Sequence, residues 1–215
     1  MAQQIKGILF DFDGTLAKTM EDHFLAWKNA LTPFRVNLQP QQYFSLEGMT
    51  VYQIAQKMCK DYGLDPSLSM DLVRRKEEHY LQNRSFSFYP GVEEMVLLLK
   101  KKGFKLGIVT AGLLNRIKQT VPEKFVACFD AIVTGDQTTQ GKPFPEPYLK
   151  GLENLGLKPY QCIVIENAPL GIKAAKAAGM YCIAIASTVE RQELMEADKV
   201  VDRFEDLIHY FRSLK

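Results

Sequence analysis

Two aspartates stand two residues apart where a short apolar run ends. Ile5–Phe10 leads directly into Asp11-Phe12-Asp13-Gly14-Thr15-Leu16. Along an extended segment, residues two apart face the same side, so Asp11 and Asp13 share one space and Phe12 points back toward the core. Two carboxylates held close repel, and the pair is tolerable with a cation or a shared proton between them. Magnesium suits such a pair, because it takes hard oxygen ligands and keeps room for phosphate and water. A carboxylate can also attack phosphorus to give an aspartyl-phosphate, while a second carboxylate moves protons. Loops with two solvated aspartates are common, but an apolar strand running straight into this hexapeptide is not.

Further along the chain, other polar residues sit at the ends of apolar runs. Thr110 closes Ile108-Val109-Thr110, where its hydroxyl could donate to a phosphate oxygen or satisfy the local backbone. Lys142 lies between Gly141 and Pro143. It is either a solvated lysine or an ammonium that neutralises phosphoryl charge and restrains a carboxylate. Glu166 and Asn167 follow Cys162–Ile165 and would stand beside the aspartates, with a helix cap by Asn167 as the alternative. His23 lies four residues before Trp27, which puts both on one helix face. Glu47 precedes Gly48 in an expected loop, and a glycine there permits close backbone approach to a ligand, with a solvated loop carboxylate as the alternative for Glu47.

The elements that must position these residues follow a regular rhythm. Ile5–Phe10, Lys105–Val109, Ala131–Thr134, Cys162–Ile165 and Tyr181–Ala186 read as buried strands. Val92–Lys102, Pro145–Leu155, Leu170–Ala178 and Phe204–Leu214 read as helices, several of them punctuated by Pro or Gly. Strands alternating with helices predict an α/β fold, a doubly wound, Rossmann-like parallel sheet. From Ala17 to about Arg84 no buried strand is found, and Met20–Leu31, Val51–Tyr62 and Leu68–Gln82 read as amphipathic helices. The predicted division is a core of 1–16 and 85–215 and a small all-α cap of 17–84, inserted after the first strand. Such a cap would hang over the carboxyl ends of the strands, where ligands bind in open α/β sheets.

The bulk properties narrow the class. The 215 residues carry a net charge of +2, with 47% hydrophobic and 24% charged residues. No lysine/arginine block stands out, so nucleic-acid binding through a broad basic surface is unsupported. No stretch approaches the roughly 20 apolar residues of a membrane span. Met1–Lys6 shows no cationic region leading into an apolar one, and Cys59, Cys128, Cys162 and Cys182 form no C-x-x-C pair. Reduced thiols and a cytoplasmic location are the expectation, and a monomer would suit a mobile cap.

Taken in order, these segments resemble the haloacid dehalogenase superfamily over nearly the whole chain. Asp11–Leu16 resembles its first motif, Thr110 in Ile108–Gly112 its second, Lys142 in Gly141–Pro147 its third, and Val164–Ile172 its fourth. The helical insertion matches the family's small cap, and the branch is that of the beta-phosphoglucomutase-like phosphatases and mutases. The resemblance implies Asp11 as nucleophile and Asp13 as proton donor and acceptor. Thr110 and Lys142 would bind the phosphoryl group, and His23, near the hinge, would assist proton transfer. Magnesium would be held by Asp11, the Asp13 carbonyl, Asn167 and Glu166. Two positions depart from the pattern. Asn167 stands where an aspartate usually binds the metal, and Glu47 and Val51 stand where the mutases carry cations. Glu47 is expected to return the charge missing at Asn167 by reaching the metal from the cap. The expected activity is magnesium-dependent hydrolysis of a small phosphorylated metabolite or inorganic pyrophosphate, with a beta-phosphoglucomutase-type sugar phosphomutase as the alternative.

Overall fold

In the computed structural model, which describes residues 5–214, the apolar runs become strands of one sheet. These are β1 (Gly7–Phe10), β2 (Lys105–Val109), β3 (Ala131–Val133), β4 (Cys162–Glu166), β5 (Tyr181–Ile185) and β6 (Lys199–Val201). Their order is β3-β2-β1-β4-β5-β6, and every pairing is parallel. β6, only three residues long, has no sequence pattern that would announce it. Ten α-helices are found among the described residues. Five precede β2: α1 (Met20–Leu31), α2 (Pro40–Phe44), α3 (Val51–Asp61), α4 (Ser69–Asn83) and α5 (Val92–Lys101). The rest are α6 (Leu114–Thr120), α7 (Glu123–Val126), α8 (Glu146–Leu155), α9 (Pro169–Ala177) and α10 (Phe204–Ser213).

A sheet buried on both faces demands apolar residues at successive positions. Ile8 and Phe10 pack with α5 and α10 on one face. Leu9, between them, packs with α8 and α9 on the other. The helical insertion has its own buried cluster, with Trp27, Tyr43, Ile54, Met58 and Leu72 at its centre. It leaves and re-enters the core through two adjacent connections. The Lys18 N–H donates to the Ser87 carbonyl at 2.8 Å, and the Tyr89 N–H to the Leu16 carbonyl at 3.1 Å. All four cysteines are free, and Cys128 alone is only half-buried. No helix among the described residues is long and apolar enough to cross a membrane.

Strand order reverses between β1 and β4, because the chain builds β2 and β3 to one side of β1 before returning to the other. At such a switch point the connections part and leave a crevice at the carboxyl ends of the strands. Asp11 leaves β1 and Asn167 leaves β4 at this crevice.

Leu9 fills a niche left by two glycines: an added β-carbon would come within 2.6 Å of its side chain at Gly107 and 2.9 Å at Gly151. Leu9→Ala should therefore cost about 2–5 kcal/mol in urea unfolding. A loss below about 1 kcal/mol would show that this face is packed differently.

Candidate active site

Asp11 continues β1 by one more ladder bond, its N–H donating to the Ile165 carbonyl at 2.9 Å. Its side chain meets Lys142, which is 1% exposed. The Lys142 ammonium donates to Asp11 Oδ1 and to Glu166 Oε1, both at 2.6 Å. Glu166 Oε1 also accepts the Tyr148 hydroxyl at 2.9 Å, and Oε2 accepts the N–H groups of Asn167 and Ala168 at 2.8 and 3.0 Å. Four donors thus take both carboxylate oxygens of Glu166. Gly171 makes room for them, since a β-carbon there would collide with the carboxylate. The geometry therefore gives Glu166 a different place from the metal ligand that its motif implies: it holds Lys142. Burial opposes the charge on Lys142, but the two carboxylates outweigh it and keep its pKa above the usual lysine range.

Asp13 faces the other way. Its Oδ1 accepts the Thr19 hydroxyl at 2.7 Å and lies 3.0 Å from His23 Nε2. Its Oδ2 accepts from Arg116 Nη2 at 2.7 Å and from the Thr110 hydroxyl at 3.3 Å. Burial would raise its pKa, yet Arg116 and His23 prevail and hold Asp13 well below the usual carboxylate range. Burial, with Lys76 and Arg116 close by, pushes His23 down to about 3. A neutral imidazole beside an ionised carboxylate must donate its Nε2–H. His23 Nδ1 is then a buried acceptor without a partner. Thr110, expected to face a phosphate, is here shared between Asp13 and the Gly112 N–H at 3.0 Å.

The loop before α3 reaches across from the insertion to the end of β4. Glu47 Oε2 accepts from Asn167 Nδ2 at 3.1 Å and from the Thr188 hydroxyl at 2.8 Å. Gly48 allows this seat in two ways. It has a positive φ of 93°, and an added β-carbon would stand 3.1 Å from Leu170 Cβ. The close approach that the structure shows at Gly48 is to α9 of the core, rather than to a ligand as expected from the sequence. Asn167 Oδ1 accepts the Thr15 hydroxyl at 2.9 Å, so the amide turns its N–H face toward Glu47.

These groups surround a cavity of about 50 Å³. Asp11, Asp13, His23, Glu47, Thr110 and Asn167 all line it, while Lys142 and Glu166 stand behind Asp11. Asp11 Oδ2 and Glu47 Oε1 are buried without a hydrogen-bond partner. Burial pushes Asp11 up to about 7 against the pull of Lys142, and Glu47 up to about 8. Two unpartnered carboxylate oxygens, raised in this way and facing one cavity, fit a hard divalent cation. Among the described residues no group of three or more His, Cys, Asp or Glu is spaced as a metal site. A cation here would draw on carbonyl and amide oxygens as well as the two carboxylates.

The sequence pointed to none of Lys76, Arg116, Tyr148 or Thr188. Lys76 lies in the charged run Arg74–Glu78, which reads as a solvated helix face. Arg116 and Thr188 lie in segments without an apolar pattern, and Tyr148 is one of many aromatic core candidates. Thr15 lies within the first motif and Thr19 just after it, and both could have been found as local hydroxyl donors.

A family model described as haloacid dehalogenase-like hydrolase matches residues 8–185. Hexitol phosphatase A of Escherichia coli is 28% identical over 204 residues, covering 94% of this chain and 93% of its own length. Beta-phosphoglucomutase of Bacillus subtilis is 28% identical over 211 residues, with 94% and 92% covered. The solved structure of a putative beta-phosphoglucomutase from Bacteroides vulgatus superposes with a TM-score of 0.86 at 29% identity, over 99% of this chain and 89% of that one.

The place of Glu166 can be tested without metal. Glu166→Gln leaves the buried Lys142 short of one carboxylate, and breaking a buried pair in this way costs about 3–5 kcal/mol. Chemical unfolding in a metal chelator should show that loss. A group that served only as a metal ligand would leave the metal-free stability nearly unchanged.

Proposed function

This chain belongs to the haloacid dehalogenase-like hydrolases, in the branch of the beta-phosphoglucomutase relatives, and from that premise we propose that it is a magnesium-dependent phosphohydrolase of small phosphorylated metabolites that works through an aspartyl-phosphate on Asp11. One observation carries the reading. Asp11 is gripped through Oδ1 by a buried lysine, while its Oδ2 is left buried and unpartnered toward the cavity.

Asp11 attacks phosphorus in line and the bond to the leaving oxygen breaks, while Asp13, ionised at rest, takes up a proton from water as it turns from Arg116 and passes it to that oxygen. Water then attacks the phosphorus of the aspartyl-phosphate, its proton passes to Asp13, and the bond to Asp11 breaks to release inorganic phosphate. Lys142 keeps the Asp11 carboxylate aimed and offsets the charge of the transferring group. Asp13 must turn from Arg116 to serve the leaving oxygen, and His23 and Thr19 hold its other oxygen meanwhile. Asp11, the Asp13 carbonyl and Glu47 would hold the magnesium, and Asn167 would join them by turning its amide oxygen from Thr15. When bound it would spread the negative charge of the phosphoryl group. The segment 17–84 acts as the cap, with Glu47 as the contact that closes it over the site and excludes water.

The small size of the closed cavity supports a small substrate, whether a phosphate ester or inorganic pyrophosphate. A sugar phosphomutase needs a cation in the cap to hold a second phosphate near residue 47. Here that position carries Glu47, already turned onto Asn167 and Thr188, which weighs against the mutase reading.

Asp11→Asn should lower turnover by about a thousandfold or more, since an amide forms no acyl-phosphate. Phosphate release from a metabolite panel with magnesium, with circular dichroism as the fold control, checks this, and full activity would end the mechanism. Glu47→Gln should weaken magnesium affinity by about tenfold or more. If the magnesium dependence of activity is unaltered in that variant, Glu47 is not a ligand.

A further inference from the structure

The cavity has a further lining for which the phosphoryl chemistry has no use. Lys76 of α4 and Arg116 of α6 both face it and are 1% and 4% exposed. One belongs to the cap and the other to the core, so the lining exists only while the two are together. Both cations lean on the same carboxylate oxygen: Glu77 Oε1 lies 2.7 Å from the Lys76 ammonium and 3.5 Å from Arg116 Nη1. The other anion at hand is Asp13, 2.7 Å from Arg116 Nη2. Aromatic rings fill much of the remaining surroundings. Lys76 Nζ is 5.1 Å from the Tyr80 ring centre and 6.0 Å from that of Trp27, and the Arg116 guanidinium is 5.4 Å from that of Tyr80.

Lysine and arginine are donors only, with three and five N–H groups. The protein takes one of these from Lys76 and two from Arg116. Glu77 and Asp13 match the two cations in number, but the charged N–H groups left over still suit an acceptor that carries negative charge. A neutral hydroxyl would bring a proton of its own that needs an acceptor. A carboxylate or a phosphate brings none.

We propose that Lys76 and Arg116 form a subsite for an anionic leaving group, so that the favoured substrates are small phosphoryl compounds with a second anion close to the transferring phosphate: a diphosphate, or the phosphate ester of a short hydroxy acid. The inference rests on the phosphohydrolase reading and narrows its substrate class. It also links binding to chemistry. Arg116 holds Asp13 Oδ2, and an anion that draws the guanidinium away frees that oxygen to turn toward the leaving group.

Matched ligands test the subsite. Glycerol 3-phosphate and 3-phosphoglycerate differ by a hydroxymethyl for a carboxylate, and methyl phosphate and pyrophosphate differ by a second phosphate. Calorimetric binding to Asp11→Asn with magnesium should favour the anionic member by about tenfold or more in at least one pair. The pair that responds tells carboxylate from phosphate. In Asp11→Asn/Lys76→Met that ratio should collapse, and in Asp11→Asn/Lys76→Arg it should survive. Equal affinities within both pairs overturn the subsite without any second variant, and so does a ratio that Lys76→Met leaves unaltered. The same pairs given to the unmodified enzyme separate the two ideas. A binding preference without any hydrolysis sinks the phosphohydrolase reading and supports the subsite.

Discussion

Three charges meet out of water where β1 and β4 lie side by side: the Lys142 ammonium between the carboxylates of Asp11 and Glu166. Taking ions out of water costs several kcal/mol each, and mutual attraction repays it only if the remaining hydrogen-bonding capacity is also satisfied. Much of the surrounding architecture does this. The turn after β4 aims two backbone N–H groups at Glu166, α8 brings Tyr148, and Gly171 opens α9 enough for the carboxylate to tuck in. The parallel pairing of β1 with β4 sets the distance between the two carboxylates that Lys142 spans. Charge that is fixed before substrate arrives needs no reorganisation during reaction, which is where such sites gain most of their rate.

The two aspartates of the first motif are driven apart by their neighbours. Asp11 has one ammonium, no second cation and a deep position, and its proton affinity rises. Asp13, two residues on, has a guanidinium and a hydroxyl on one oxygen and an imidazole and a hydroxyl on the other, and its affinity falls. Two like groups thus acquire different chemistry from their surroundings alone.

Much of this was legible in the sequence because burial leaves a pattern. A strand covered on both faces is apolar at nearly every position, so β1 to β5 could be placed within a residue or two. Polar residues at the ends of such strands stand out, and Asp11, Asp13, Thr110 and Asn167 all line one cavity. What stayed hidden is set by tertiary placement. In Arg74-Arg75-Lys76-Glu77-Glu78 nothing local distinguishes Lys76, yet α4 buries that residue, with Glu77 beside it, while Arg74 and Glu78 stay in solvent. Glu166 was misplaced for a related reason: which carboxylate at a strand end faces a cavity and which faces a lysine behind it depends on side-chain direction, not on order in the chain.

The contact between Glu47 and Asn167 bears on how freely such caps can be exchanged. A buried glutamate can rest against residue 167 because that residue is a neutral amide with an N–H to offer. An aspartate there would set a second carboxylate against Glu47, a pair that is tolerable only with a cation or a shared proton between them. The helical insertion of this chain and the strand-end turn beneath it are therefore matched to one another. A chimera that grafts residues 17–84 onto a core with aspartate at that turn would be assembled from two sound parts whose meeting faces repel.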